Sequence, residues 1–157
     1  MKPVRVRPAA IEEASALTAM ASRAKASWGY DEAAMARAPV RIEPASIAEG
    51  WVWVAEGDRR RPIGVAVLAR TAEPAVFELQ ALYVEPIALR TDAGAALLRR
   101  VTAIARSLGG ATLRIVADPN AARFYETLGA RKVGEDRSVA GRAHPLYELS
   151  LAEGDAT

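Results

Sequence analysis

Cysteine is absent from the 157 residues. That excludes disulfides, thiolate metal sites and a cysteine nucleophile. Histidine occurs once, as His144, with no partner cluster around it that would make a metal site. Long apolar runs are missing too: the longest stretches are broken by Arg, Glu or Gly within a strand's reach, so no segment approaches membrane-spanning length. The N-terminal Met1-Lys2-Pro3-Val4-Arg5 lacks the apolar core of a signal peptide, and a soluble, cytoplasmic protein is the expectation. Charge of one sign is also in short supply. Twenty-one basic and 19 acidic groups nearly cancel to +2, which argues against nucleic acid as a partner.

What is present fits one core. A chain of this length with 51% hydrophobic residues can bury a single core of ordinary size, and no Ser/Gly/Pro-rich stretch is long enough to divide it, so residues 1–157 are expected to form one domain. Val4 to Arg7 alternates like a strand. Ile11, Ala14, Leu17, Met20 and Ala21 recur on one face of a helix over 11–27. Asp31 caps a short helix to Arg37, and 38–50, with Pro39 and Pro44, reads as mainly irregular. Strand-like runs follow at 51–55, 63–69 and 76–84, then a long amphipathic helix over 93–108 ending at Gly109-Gly110. Further strands are expected at 112–117, 131–135 and 145–151. The basic run Arg59-Arg60-Arg61, after Gly57-Asp58 and before Pro62, reads as a hairpin turn that is either simply solvated or an anion contact. No internal repeat interrupts this order, and a strand-helix-strand unit over 76–117 implies one parallel crossover within an otherwise antiparallel, mixed α/β (α+β) sheet.

The most informative segment is Asp118-Pro119-Asn120-Ala121-Ala122-Arg123-Phe124-Tyr125-Glu126-Thr127-Leu128-Gly129, directly after the strand at 112–117. Asp118 suits a helix cap, Pro119 the first helical position and Gly129 a left-handed stop. A strand running into a helix that carries Asn, Phe and Tyr resembles the last conserved motif of the GCN5-related N-acetyltransferases (GNAT). Glu78-Leu79-Gln80-Ala81-Leu82-Tyr83-Val84-Glu85-Pro86 is similar to the family's fourth strand. Trp28-Gly29-Tyr30, Gly134-Glu135, Ser138, Gly141-Arg142 and Pro145-Leu146-Tyr147-Glu148-Leu149 resemble a bacterial subgroup of undefined substrate.

The resemblance covers most of the chain. It implies a mixed, mostly antiparallel sheet of about six to seven strands flanked by about four helices, with strands 4 and 5 splayed. It also implies acetyl-CoA as co-substrate, a small-molecule or peptide amine as acceptor, and a homodimer through strand exchange or edge pairing at the C-terminal strands. Such a transfer needs a base for the ammonium, donors for the thioester oxygen and an acid for the departing thiolate. By resemblance Tyr125 is the acid and Glu78 the base. Leu82, Tyr83 and Val84 would offer backbone to the coenzyme, Asn120 would meet the pantetheine arm, and Phe124 would lie beside it. Trp28, Tyr30 and Arg142 would line the acceptor pocket. Each has a purely structural alternative: Tyr125 a core-edge aromatic, Glu78 a solvent-face carboxylate, Asn120 a local cap, Phe124 packing, and Trp28 with Tyr30 a clamp between helices.

The coenzyme loop departs from the family pattern. The family expects Gln or Arg, two residues, Gly, one residue, then Gly or Ala, so that backbone amides at a helix N-terminus wrap the pyrophosphate. Here stand Leu89-Arg90-Thr91-Asp92-Ala93-Gly94, followed by Ala95. Leu89 replaces the polar first residue and Asp92 the first Gly. A carboxylate about 5 Å from a diphosphate charge, at an effective dielectric near 20, is repelled by on the order of 3 kcal/mol before screening. Arg90 and Thr91 supply a compensating cation and hydroxyl, and Asp92 is equally suited to capping the helix at Ala93. Two functions therefore follow: an active N-acetyltransferase, or a degenerate relative that keeps the fold as a binding or dimerising module.

Overall fold

Alternating short apolar runs and turn residues produce seven strands in the computed structural model, which describes residues 4–137 and 143–152. They are β1 (Arg5–Pro8), β2 (Val52–Glu56), β3 (Pro62–Arg70), β4 (Val76–Val84), β5 (Thr112–Val116), β6 (Arg131–Asp136) and β7 (His144–Ser150). The helices are α1 (Ala14–Ala26), α2 (Glu32–Arg37), α3 (Pro44–Ala48), α4 (Ala93–Ser107) and α5 (Ala122–Thr127). The sheet order is β1-β2-β3-β4-β5-β7-β6. β4 and β5 are parallel, as the intervening α4 requires, while β1–β2, β2–β3, β5–β7 and β6–β7 are antiparallel. This is the mixed, mostly antiparallel α/β sheet that the resemblance implies. The β4–β5 register runs from Val76↔Thr112 to Leu79↔Ile115, whereas β4 continues to Val84.

The chain divides into two compact units. Unit 1 holds the described residues within Met1–Val67 together with Ala81–Val101, and unit 2 those within Leu68–Gln80 and Thr102–Thr157. In unit 1, Leu17, Met20 and Ala21 of α1 pack with Ile42, Ile47 and the inward residues Val52, Val54, Val65 and Val67 of β2 and β3. In unit 2, Phe77, Leu79, Leu113, Ile115 and Tyr147 are buried, each at alternate strand positions.

Two expectations change. The segment 38–50 is not wholly irregular: Pro44 at the first helical position starts α3, whose Ile47 is buried, giving five helices rather than about four. Ile11 does not belong to the buried face of α1. It lies in a 3-10 turn (Ile11–Glu13) and is 49% exposed, because the α-helix starts only at Ala14. Among the described residues no helix is long and apolar enough to cross a membrane.

Candidate active site

In unit 1 the chain leaves β4 through a 3-10 turn at Pro86–Ala88 and enters α4 at Ala93. Arg23 of α1 pairs with Glu85, and the Glu85 amide donates to Ile63 O at 2.8 Å, fixing the end of β4. Thr91 then organises the helix start: its hydroxyl donates to Ala88 O at 2.6 Å and accepts from the Ala93 amide at 3.2 Å. The Asp92 carboxylate lies 2.6 Å from the Arg99 guanidinium. Asp92 therefore sits at the cap position, with its backbone carbonyl accepting from Ala96 N at 2.8 Å, but Thr91 provides the side-chain cap and Asp92 pairs along the helix. The amides of Gly94 and Ala95, first-turn residues with no or small side chains, have no intrahelical acceptor. An anionic diphosphate fits such a helix start, and pairing with Arg99 masks the Asp92 charge that would oppose it. Leu89 is 58% exposed, so its apolar side chain occupies a place where the family has a hydrogen-bonding one.

Leu82, Tyr83 and Val84 lie in the last residues of β4, all half-buried. The Trp28 ring, in the turn after α1, meets Tyr83 with centroids 5.8 Å apart. Tyr30 is drawn instead to Lys25, whose ammonium sits 5.5 Å from the ring and donates to Ala38 O at 2.5 Å. Trp28 thus joins a residue near the end of β4, while Tyr30 belongs to the α1–α2 connection. Arg142 lies outside the described residues.

In unit 2, Glu78 is half-buried in β4 and stands opposite Arg114 of β5. Arg114 stands opposite Glu148 of β7, with 3.7 Å between their charged atoms, and Glu148 stands opposite Arg131 of β6. Residues directly opposite across neighbouring strands share a face, so the four form one row of alternating charge. Glu148 is ion-paired; Glu78, among the described residues, has no cation within 4.0 Å. This row was not foreseen, since only the strand register reveals it.

The helical segment after β5 behaves as its punctuation requires. Asp118 accepts from the Asn120 backbone amide at 2.8 Å, Pro119–Ala121 forms a 3-10 turn that leads into α5, and Gly129 closes it at φ +96°. Asn120 is exposed, and its side-chain amide also donates to Asp118 Oδ1 at 2.8 Å, which is the local-cap alternative in structural form. Its side-chain carbonyl remains available as an acceptor. Phe124 is half-buried and meets the buried Tyr125 edge to face, at 5.1 Å and 72°. A second tyrosine, Tyr147 of β7, lies 6.4 Å from Tyr125, ring to ring. Its hydroxyl donates to Glu126 Oε2 at 2.5 Å, and that bond, aided by burial, pushes the phenol up to about 12. Tyr147 therefore holds its proton tightly and is a poor acid near neutrality. Unit 2 thus places a partnered tyrosine next to Tyr125.

Among the described residues no cluster of three or more metal-ligating side chains occurs. A family model described as "Acetyltransferase (GNAT) domain" matches residues 17–151. No curated protein matches the sequence. Among solved structures the chain is similar to the PaiA N-acetyltransferase of Thermoplasma acidophilum in complex with coenzyme A, at 19% identity and TM-score 0.79 over 95% of this chain and 99% of that one. It is similar to a GCN5-related N-acetyltransferase from Rhodopseudomonas palustris at 23% identity and TM-score 0.74, over 96% and 97%. It is similar also to N-acetylglutamate synthase from Neisseria gonorrhoeae, complexed with coenzyme A and N-acetyl-glutamate, at 19% identity and TM-score 0.75 over 98% of this chain but 36% of that one. The chain spans about a third of that synthase. At these identities the structural likeness establishes the fold.

Proposed function

Because the chain belongs to the GNAT acetyltransferases, we propose that it transfers the acetyl group of acetyl-CoA directly to a primary amine of a small molecule or peptide. The 157 residues act as one cytoplasmic N-acetyltransferase domain, since β3, β4 and α4 each contribute residues to both compact units. Glu78 accepts the proton of the acceptor ammonium, directly or through water. The freed amine attacks the thioester carbonyl carbon, and backbone amides near Leu82 stabilise the oxygen as it gains charge. As the carbon–sulfur bond breaks, Tyr125 gives its proton to the departing sulfur, and the second proton shed by the newly acylated nitrogen returns through water to the phenolate. The first turn of α4, with Arg90 and Thr91 before it, holds the pyrophosphate, and Asn120 and Phe124 meet the pantetheine arm. Trp28, Tyr30 and Arg142 line the acceptor pocket.

The observation that carries this assignment is the contrast among like groups in unit 2. Glu148 is engaged by Arg114, whereas Glu78 has no ion-pair partner among the described residues. A general base must be free to take a proton. The test is purified protein with acetyl-CoA and a broad amine panel, monitored by thiol release. Turnover should fall about 10²- to 10⁴-fold in Glu78→Gln and in Tyr125→Phe. Absence of coenzyme binding by calorimetry, together with absence of turnover in the native chain, would sink the assignment.

The exposed Leu89 and the carboxylate of Asp92 favour one alternative, a degenerate relative that binds or dimerises without catalysis. Asp92→Gly separates the two. An inert native chain whose Asp92→Gly variant binds coenzyme strongly has lost its loop; equal binding by both shows that Asp92 is compatible with function.

A further inference from the structure

The Arg59-Arg60 turn is left unexplained by acetyl transfer, and its geometry is unusual. Arg59 and Arg60 have φ of 58° and 60°, a left-handed conformation that residues with a Cβ avoid. The turn is closed by Gly57 N donating to Arg61 O at 2.8 Å and Arg61 N donating to Asp58 O at 3.1 Å. Two consecutive left-handed residues suit the tight hairpin between β2 and β3, but here the positions usually filled by Asn or Gly are both arginine. Within unit 1 this turn forms one side of a cavity of about 690 Å³, inside the range of about 300–1,000 Å³ typical of small-molecule sites. Val4, Ile63, Ile87 and Ala88 give it an apolar wall, and Thr91 also borders it. Ile87 is 86% exposed, a large apolar side chain left in water.

Charge decides what such a cavity would take. Its lining carries three guanidinium groups, on Arg5, Arg59 and Arg60, against two carboxylates, on Glu56 and Asp58, and Glu56 is engaged by Arg7 at 2.9 Å and Arg5 at 3.8 Å. Arg59 and Arg60, among the described residues, have no ion-pair partner. The free charge at the cavity is therefore positive, and guanidinium groups match carboxylate and phosphate oxygens in paired geometry. We propose that this cavity is a second binding site, adjoining the proposed pyrophosphate segment at Thr91, for a small organic anion with an apolar body and a carboxylate or phosphate head. Arg59 and Arg60 hold the head; Ile63 and Ile87 cover the body. Ala88 and Thr91 belong to the connection that caps α4, so an occupant touches the segment proposed to hold the pyrophosphate. The binding itself does not depend on acetyl transfer.

The test uses the full chain without acetyl-CoA. Calorimetry with phenyl phosphate and with benzoate distinguishes the two heads, while benzyl alcohol and benzylamine serve as neutral and cationic counterparts. At least one anion should bind, its two counterparts should not, and Arg59→Ala/Arg60→Ala should weaken it by about tenfold or more. Ile87→Ser, on an exposed side chain that leaves folding intact, should weaken it by about fivefold. Binding that is equal for benzyl alcohol, or unchanged in the double arginine variant, overturns the site. So does a loss of coenzyme A affinity in the double variant as large as the loss of anion affinity, which would assign the cavity to the coenzyme. None of these readouts requires turnover, so an inactive protein that still binds the anion would refute the acetyltransferase assignment alone.

Discussion

Arg99 should matter to coenzyme binding only because Asp92 is there. Their charged atoms are 2.6 Å apart, with side chains 64% and 53% exposed. Removing the guanidinium leaves a carboxylate at the start of α4, where the diphosphate is proposed to lie. At about 5 Å the repulsion per charge pair is about 3 kcal/mol for an effective dielectric of 20 and about 0.8 kcal/mol in bulk water. Half-exposed groups fall between, so Arg99→Gln should weaken coenzyme A by about 4- to 150-fold. The loss should be larger at 0.01 M salt, where the screening length is about 30 Å, than at physiological salt, where it is about 8 Å. Calorimetry of the native chain, Arg99→Gln, Asp92→Asn and the double variant forms a cycle. In the Asp92→Asn background Arg99→Gln should cost little, leaving only the weak direct attraction between Arg99 and the diphosphate. An equal loss in both backgrounds would refute masking and give Arg99 a direct role.

Other consequences follow from the same contacts. Arg7→Met should destabilise the fold by about 3 kcal/mol in urea titration, because Glu56, 6% exposed, keeps among the described residues only Arg5 at 3.8 Å. Glu13 is held below its ordinary 4.5 chiefly by its hydrogen bonds from Arg7, so its contribution is present above that pH and lost as pH falls through the lowered folded value; Arg7→Met should flatten this acid loss. Tyr147, pushed up to about 12 from 10.0, contributes fully below pH 10 and loses that contribution as pH rises through about 12. Tyr147→Phe should cost about 1 kcal/mol at neutral pH and abolish the alkaline decline, read by absorbance and circular dichroism. Gly110→Ala would place a Cβ 2.7 Å from Phe77 Cδ1 and 2.8 Å from Ala105 O, and should lower stability by about 2 kcal/mol in thermal unfolding.

Most of the fold was legible because its signals are local. Alternation marked β4 at its observed bounds, and helical periodicity with Gly109 marked α4. What escaped needed packing to decide it. α3 is five residues long and carries a single buried side chain, Ile47, too little for periodicity to register. The helix expected over 93–108 ends at Ser107, which leaves Leu108 43% exposed.

The site was legible in its identities but not in its partnerships. Asp92 and Arg99 are seven residues apart, two turns of one helix, a spacing that side-chain pairing rules at three and four residues pass over. Glu78, Arg114, Glu148 and Arg131 are scattered through the sequence and become neighbours only through the β4–β5–β7–β6 register. A one-residue slip of β5 against β4 and β7 would turn Arg114 to the other face, leaving Glu148 without the cation it pairs with and burying a guanidinium among Phe77, Leu79 and Tyr147. The apolar alternation of Leu113 and Ile115 forbids that slip. The side chains that bury the sheet are thus also what hold the charged row in line, and Glu78 owes its place at the end of that row to residues that carry no charge.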